Sequence, residues 1–247
     1  MMDTPTRVVF LFDIDGTILL AGPLAEESYR DAFFAVLGKP YSIRTVDCAG
    51  RTDPWIVREV LLRHGHVREA DTAEIREAIF AHFLAGMRKR LQQGMRARLI
   101  DGVAESLGWL ERQPMVSLGL LTGNLESGAR IKLEAARVQT DFLAGAYGSD
   151  HHDRNMLGPL ALARFEQLHA CQIHPRQFWI VGDSVHDILC ARAAGFRVLA
   201  VASGNTPRDV LAQEAPDILE DGLSISVFER ILAHCSVAGT SIAGGWE

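Results

Sequence analysis

Five apolar residues in a row, Val8-Val9-Phe10-Leu11-Phe12, run directly into Asp13-Ile14-Asp15-Gly16-Thr17. An apolar run this short and unbroken predicts a strand buried on both faces. Side chains alternate faces along a strand, so Asp13 and Asp15 are expected on the same side at its end. Two carboxylates placed there call for a function that offsets their desolvation. The pattern suits gathering a hard cation such as Mg²⁺, which prefers a few carboxylates plus ligand oxygens to an all-protein cage, and aiming one oxygen at an electrophile. Gly16 lets the backbone turn away tightly, so that the amide and hydroxyl donors of Gly16 and Thr17 can meet an anion. A turn that merely ends a strand is the plain alternative, because Asp-Gly is also a common turn signal.

The 247 residues are enough for one large domain, or a core with a smaller insertion, around a sizeable hydrophobic core. A net charge of −6, without a basic run interleaved with aromatics, gives no footprint for nucleic acid and points to a small-molecule partner. Residues 1–7 are short and polar, and no apolar stretch is long enough to cross a bilayer, so cytoplasmic residence without a membrane partner is expected. Cys48, Cys171, Cys190 and Cys235 are scattered without a Cys-x-x-Cys pair, which reads as reduced, mostly packing thiols.

Two textures come after the first strand. From Leu24 to about Met95, apolar residues recur at helix-face spacing: Ala32, Phe33, Val36 and Leu37; Ile56, Val57, Val60 and Leu61; Ile75, Ile79, Phe83 and Leu84. From Arg98 onward, short apolar runs at 116–121, 142–147, 178–181 and 198–201 alternate with helical stretches at 102–112, 126–136, 155–170 and 186–194. Such alternation implies an α/β fold with a doubly wound, Rossmann-like parallel sheet, whose ligands gather at the carboxyl ends of the strands. The expected organisation is a core of residues 1–20 and 97–235, a helical cap over residues 21–96 acting as a lid, and a weakly patterned tail over residues 236–247. The lid hinges are expected near residues 20–22 and 95–99.

Two later strand ends carry polar groups. Thr122-Gly123-Asn124 comes after one, and Gly182-Asp183-Ser184-Val185-His186-Asp187 after another. A hydroxyl with close-approach amides ahead of a helix suits a phosphate oxygen, while Thr122, Asp183 and Asp187 taken singly also read as helix caps. Acids collected at one site repel one another unless a cation neutralises them, so their number implies a divalent metal. With its three motifs in order, the chain resembles the haloacid dehalogenase-like hydrolase superfamily, in the phosphatase branch that carries a helical cap. The resemblance spans about residues 7–202.

That resemblance implies Mg²⁺ held by Asp13, Asp15 (through its main-chain carbonyl), Asp183 and Asp187, with Asp13 the nucleophile that forms an aspartyl-phosphate. Asp15 would protonate the leaving alcohol and then activate water, and Thr122, Gly123 and Asn124 would meet the phosphoryl group. The family's third motif supplies a Lys, and this chain has none between the third strand and its helix; Arg154 is the best placed cation, although an exposed Arg near a helix start is the alternative. His151-His152 is read as no second metal site, because adjacent His side chains should point apart. In the cap, Arg51 is placed to greet a second anionic group, Asp53 is expected to cap the helix that begins at Pro54, and Trp55, Trp109 and Trp179 read as packing residues. The implied activity is hydrolysis of a small phosphomonoester such as 2-phosphoglycolate. A sugar phosphomutase, or a binding or signalling protein phosphorylated on Asp, is the alternative; a dehalogenase has no leaving alcohol for Asp15 to protonate.

Overall fold

The computed structural model describes residues 7–70 and 72–237. The apolar run becomes strand β1 (Val8–Phe12), every residue of it buried. After a short strand β2 (Leu19–Leu20), the chain runs through helices α1 (Pro23–Leu37), α2 (Asp53–Arg63), α3 (Val67–Ala70) and α4 (Ala73–Gln92), then returns through a short strand β3 (Arg98–Leu99). The remainder alternates: α5 (Val103–Leu110), β4 (Val116–Thr122), α6 (Glu126–Ala135), β5 (Ala144–Tyr147), α7 (Leu157–His169), β6 (Phe178–Gly182), α8 (Val185–Ala194), β7 (Arg197–Val201), α9 (Arg208–Gln213), β8 (Ile218–Glu220) and α10 (Ile225–Val237).

Six strands form one parallel sheet in the order β5-β4-β1-β6-β7-β8. The chain winds outward from β1 on one side through β4 and β5, then on the other through β6, β7 and β8, so β1 lies at the switch point where ligands collect in such sheets. Alternation along β1 feeds both faces. Phe10 and Phe12 join one apolar cluster with Leu118, Leu120, Trp179 and Phe228, while Val9 and Leu11 join a second with Phe165, Phe178 and Ile180. The register pairs Phe12 with Leu120 and with Val181, so Asp13, Thr122 and Asp183 all fall within two residues of one level at the strand ends.

Several elements differ from the sequence reading. The expected hinges are not bare loops: β2 and β3 pair antiparallel, Leu19 with Leu99 and Leu20 with Arg98, which ties the outgoing and returning chain together. Two residues per strand leave no periodicity to read. Strand β8 and helix α10 extend the fold beyond the reach of the resemblance, and α10 continues through Val237, past the expected start of the tail; residues 238–247 of that tail lie outside the described residues. Cys190 is buried and Cys48 and Cys235 are partly so, but Cys171 is exposed.

Phe228 on α10 is fully buried and meets Phe10 edge-on at 5.1 Å between ring centres, with Phe12 at 6.2 Å. Truncating a side chain so placed removes buried area and leaves a cavity. Phe228→Ala is expected to lower stability by about 3–5 kcal/mol in urea unfolding; a loss near zero would mean that α10 is no part of the core.

Candidate active site

Three acids converge where β1 and β6 end. Asp13, Asp183 and Asp187 are each no more than 5 % exposed, and one carboxylate oxygen from each lies within 4.8 Å of the others. Local structure fixes their places. The Asp13 amide donates to the Val181 carbonyl at 2.9 Å, which carries the β1–β6 ladder one residue past the strand. Ser184 caps α8: its hydroxyl and amide donate to Asp187 Oδ2 at 2.6 and 3.0 Å, and the Asp187 amide donates back to Ser184 Oγ. Thr17 Oγ1 donates to Asp183 Oδ1 at 3.3 Å.

One cation enters this cluster. Arg154, at the head of the short 3₁₀ turn Arg154–Met156 that Asp153 caps, is 6 % exposed. Its Nη2 lies 3.2 Å from Asp13 Oδ2 and also contacts Asp187 Oδ1. The exposed alternative is thereby overturned. Burial works against the Arg154 charge, yet Asp13 and Asp187 more than compensate and raise its pKa.

One Arg does not neutralise three acids. Burial, chiefly, with repulsion from Asp187 and Asp15, pushes the Asp13 carboxyl up to about 6 against the pull of Arg154 and the Thr122 hydroxyl. Asp183 is pushed up to about 8 by burial, then by Asp187 and Asp13. Buried oxygen donors that resist ionising are a set that a hard divalent cation fits, because its charge reverses that preference. Asp13 and Asp183 have oxygens to offer such a cation, whereas both oxygens of Asp187 already serve Arg154 and Ser184.

Other sequence-derived candidates are placed differently from expectation. The Gly16 and Thr17 amides close backbone turns onto Leu19 and Ile14, and the Thr17 hydroxyl serves Asp183, so these donors shape the acidic cluster instead of an anion cradle. Gly16 has φ +84°, and a Cβ there would lie 2.3 Å from Asp183 Oδ2. Asp15 stands outside the cluster of three. Its Oδ2 accepts from Asn124 Nδ2 at 2.9 Å and from Lys132 Nζ at 2.5 Å. Asn124 is itself committed to protein: it donates to Thr122 Oγ1 and accepts from Lys132 Nζ. Thr122, fully buried at the end of β4, faces Asp13.

Lys132 is a site residue that sequence reasoning missed. It lies 5 % exposed on the inner face of α6 with Gly128, Ala129 and Ala135, and a Lys in that apolar register was the one available signal. Burial opposes its charge, but Asp15 and Asp53 outweigh that and raise its pKa.

The insert meets the core through its loop before α2. The Asp53 amide donates to the Gly123 carbonyl at 2.7 Å, and Thr52 Oγ1 donates to the His152 carbonyl at 2.6 Å. Gly123 is required by this approach: a Cβ there would sit 2.0 Å from the Arg51 carbonyl oxygen. Thr52, not Asp53, caps α2, because Asp53 is its first residue and turns its carboxylate to the Leu125 amide of the core at 2.7 Å. Arg51 lays its guanidinium over the Trp55 ring at 4.2 Å, and among the described residues neither its buried Nε nor that of Arg154 has a hydrogen-bond partner. His151 and His152 do not point apart but stack, ring centres 4.6 Å apart.

Comparison with known proteins bears on the family and the fold. The family model for haloacid dehalogenase-like hydrolases matches residues 10–201. Curated relatives include a phosphoglycolate phosphatase of Pseudomonas aeruginosa, 28% identical over 86% of this chain and 76% of its own length. Another is a phosphoglycolate phosphatase of Thiobacillus denitrificans, 29% identical over 90% of this chain and 96% of its own. Among solved structures, a predicted phosphoglycolate phosphatase of Haemophilus somnus superposes with TM-score 0.67 at 21% identity, over 92% of this chain and 98% of that one. A Bacteroides vulgatus protein provisionally assigned as a beta-phosphoglucomutase does so with TM-score 0.65 at 18% identity, over 97% and 93%. The chain belongs to the haloacid dehalogenase-like hydrolase family. Within it, the chain stands with the phosphatases, enzymes that hydrolyse phosphoric monoesters.

The raised carboxyls set a pH dependence. Asp13 and Asp183 ionise near 6 and 8 in the folded chain, against 3.8 for an unperturbed Asp. Between those limits the folded state holds more protons than the unfolded one, so rising pH favours unfolding. The melting temperature without divalent cation is expected to fall between about pH 5 and pH 8 on account of these groups, and Mg²⁺ should raise it more at pH 8 than at pH 5. Calorimetry at both values checks this, and an equal Mg²⁺ effect at the two would contradict it.

Proposed function

We propose that this chain is a Mg²⁺-dependent phosphatase of small, carboxylate-bearing phosphomonoesters such as 2-phosphoglycolate, working through a phosphoryl-aspartate on Asp13. The observation that carries the reading is the buried ion pair of Arg154 with Asp13, inside a cluster of acids at the sheet's switch point. Residues 21–96 act as a cap on a core of residues 1–20 and 97–235, in the cytoplasm; among the described residues no helix is long and apolar enough to cross a membrane.

In this reading the Asp13 carboxylate attacks phosphorus, a P–O bond forms to Asp13, and the ester P–O bond breaks. Asp15 donates its proton to the departing alkoxide. A water then gives a proton to Asp15 and attacks the phosphoryl group, which leaves as inorganic phosphate and frees Asp13. Asp13, Asp183 and the main-chain carbonyl of Asp15 would hold Mg²⁺, backed by Asp187, and the bound ion would reduce repulsion between carboxylate and phosphate. Thr122 and Arg154 contact phosphoryl oxygens. Arg154 keeps Asp13 aimed while leaving its Nε for the ligand. Arg51, held over Trp55 with its own Nε unpartnered, meets the carboxylate at the far end of the substrate.

Phosphate release from a panel of small esters, with Mg²⁺ and with EDTA, tests the assignment. Turnover is expected to need the metal and to fall by at least about a thousandfold in Asp13→Asn, while the variant keeps its circular dichroism spectrum. Near-normal activity in that variant would remove the mechanism. Hexose phosphates belong in the panel, because the fold likeness to a provisionally assigned beta-phosphoglucomutase is nearly as close as that to a predicted phosphoglycolate phosphatase; isomerised sugar phosphate without free phosphate would favour the mutase. Arg51→Ala should raise KM about tenfold or more for esters that carry a carboxylate and change it little for neutral ones. Equal effects on both would sink the specificity assignment.

A further inference from the structure

Lys132 is a charged group at this site that the proposed chemistry does not employ. It is buried on the inner face of α6, where an apolar side chain would satisfy the helix pattern without desolvating a charge. Its ammonium is bound from the core by Asp15 Oδ2 and Asn124 Oδ1, both at 2.5 Å. Its other close charges are Asp53 on the insert and, more weakly, Asp13. Asp53 is anchored at the same place, since its Oδ2 accepts from the Leu125 amide at the start of the helix that carries Lys132.

Asp15 needs such a holder. Its side chain is 42 % exposed, and among the described residues its hydrogen-bond partners are Asn124 and Lys132. An acid that must reach the leaving oxygen in one step and a water in the next has to stay in one orientation, and an exposed Asp left alone samples several rotamers. Asp15 then pairs with this cation directly, and Asp53 acts on it through space across the seam between insert and core. With the insert seated, Lys132 is drawn by both; without it, Asp15 is the stronger neighbour that remains.

We propose that Lys132 is a positioning residue, which fixes the Asp15 carboxylate from the core side and, through Asp53, ties that position to the seating of the helical insert. The inference rests on the phosphatase reading for the part Asp15 plays in catalysis, but not for the charge arrangement itself.

The test is a double-mutant cycle on the full chain with Lys132→Met, Asp53→Asn and both together, reading kcat, KM and melting temperature with the best ester of the wild-type panel. Lys132→Met is expected to lower kcat about a hundredfold with KM within about threefold, the signature of lost orientation in place of lost binding. It should also lower the melting temperature, because two carboxylates lose their counter-charge. Adding Asp53→Asn should restore most of the melting temperature and none of the kcat, since Asp15 still lacks the ammonium and keeps only the Asn124 amide. If kcat returns together with stability, Lys132 is only a structural counterion for Asp53 and the proposal is overturned. An unchanged kcat in a folded Lys132→Met overturns it as well. If wild type turns over no ester, the phosphatase reading fails by itself; a melting-temperature cycle between Lys132→Met and Asp15→Asn then decides the charge arrangement, coupling supporting it and additivity overturning it.

Discussion

Everything at the strand ends depends on how one guanidinium is shared. Arg154 bridges Asp13, at the end of β1, and Asp187, in the first turn of α8, so the position of the Asp13 carboxylate is set by an element on the far side of β6. Burying these charges is costly, and the arrangement is tolerable because each partner is also hydrogen-bonded: Asp187 by the Ser184 cap, Asp183 by Thr17, Arg154 by the Leu121 carbonyl. The remaining imbalance, more acids than cations, is what prepares the cluster for a divalent ion. Both ion pairs are made by Nη2, and Nε of the same rigid plane has no hydrogen-bond partner among the described residues, a division that the single nitrogen of a lysine could not provide.

A second charge system lies beside the first, and the two are kept apart. Asp13 and Asp15 are two residues distant, yet the first is turned to Arg154 and the second to Lys132 and Asn124. Separate cations allow two neighbouring carboxylates to hold different orientations, which the proposed division of work between Asp13 and Asp15 requires. Main-chain contacts bring the insert onto this seam. Gly123 admits the Arg51 backbone so closely that the loop ahead of α2 is seated by shape as much as by hydrogen bonding.

The parts of this site legible in the sequence were those encoded locally. A buried strand announces itself by an apolar run, and the polar residues just past its end must sit at the sheet's carboxyl edge, which placed Asp13, Thr122 and Asp183. Arg154 was found by its position relative to the third motif. The features that escaped reading depend on tertiary direction. The Gly16–Thr17 turn spends its amides on its own backbone, and no spacing shows which way the Thr17 hydroxyl rotates. Asp53 looked like a cap because it precedes a proline, but the preceding Thr52 reached the helix amide first and freed Asp53 for the core. Lys132 was hidden by a sound rule, that lysines lie on surfaces, which fails where acids wait inside.

The β2–β3 pairing bears on how such a chain can vary. Because the outgoing and returning segments are hydrogen-bonded neighbours, the core experiences the whole excursion between them as one closed hairpin, whatever its length. Closure entropy rises only slowly with the number of residues in a loop whose ends are already together. The helices beyond Leu20 can therefore lengthen, shorten or be exchanged for others while the six-stranded sheet keeps its register. A change of substrate range would then need new residues in the excursion alone, and the catalytic floor beneath it could be inherited intact.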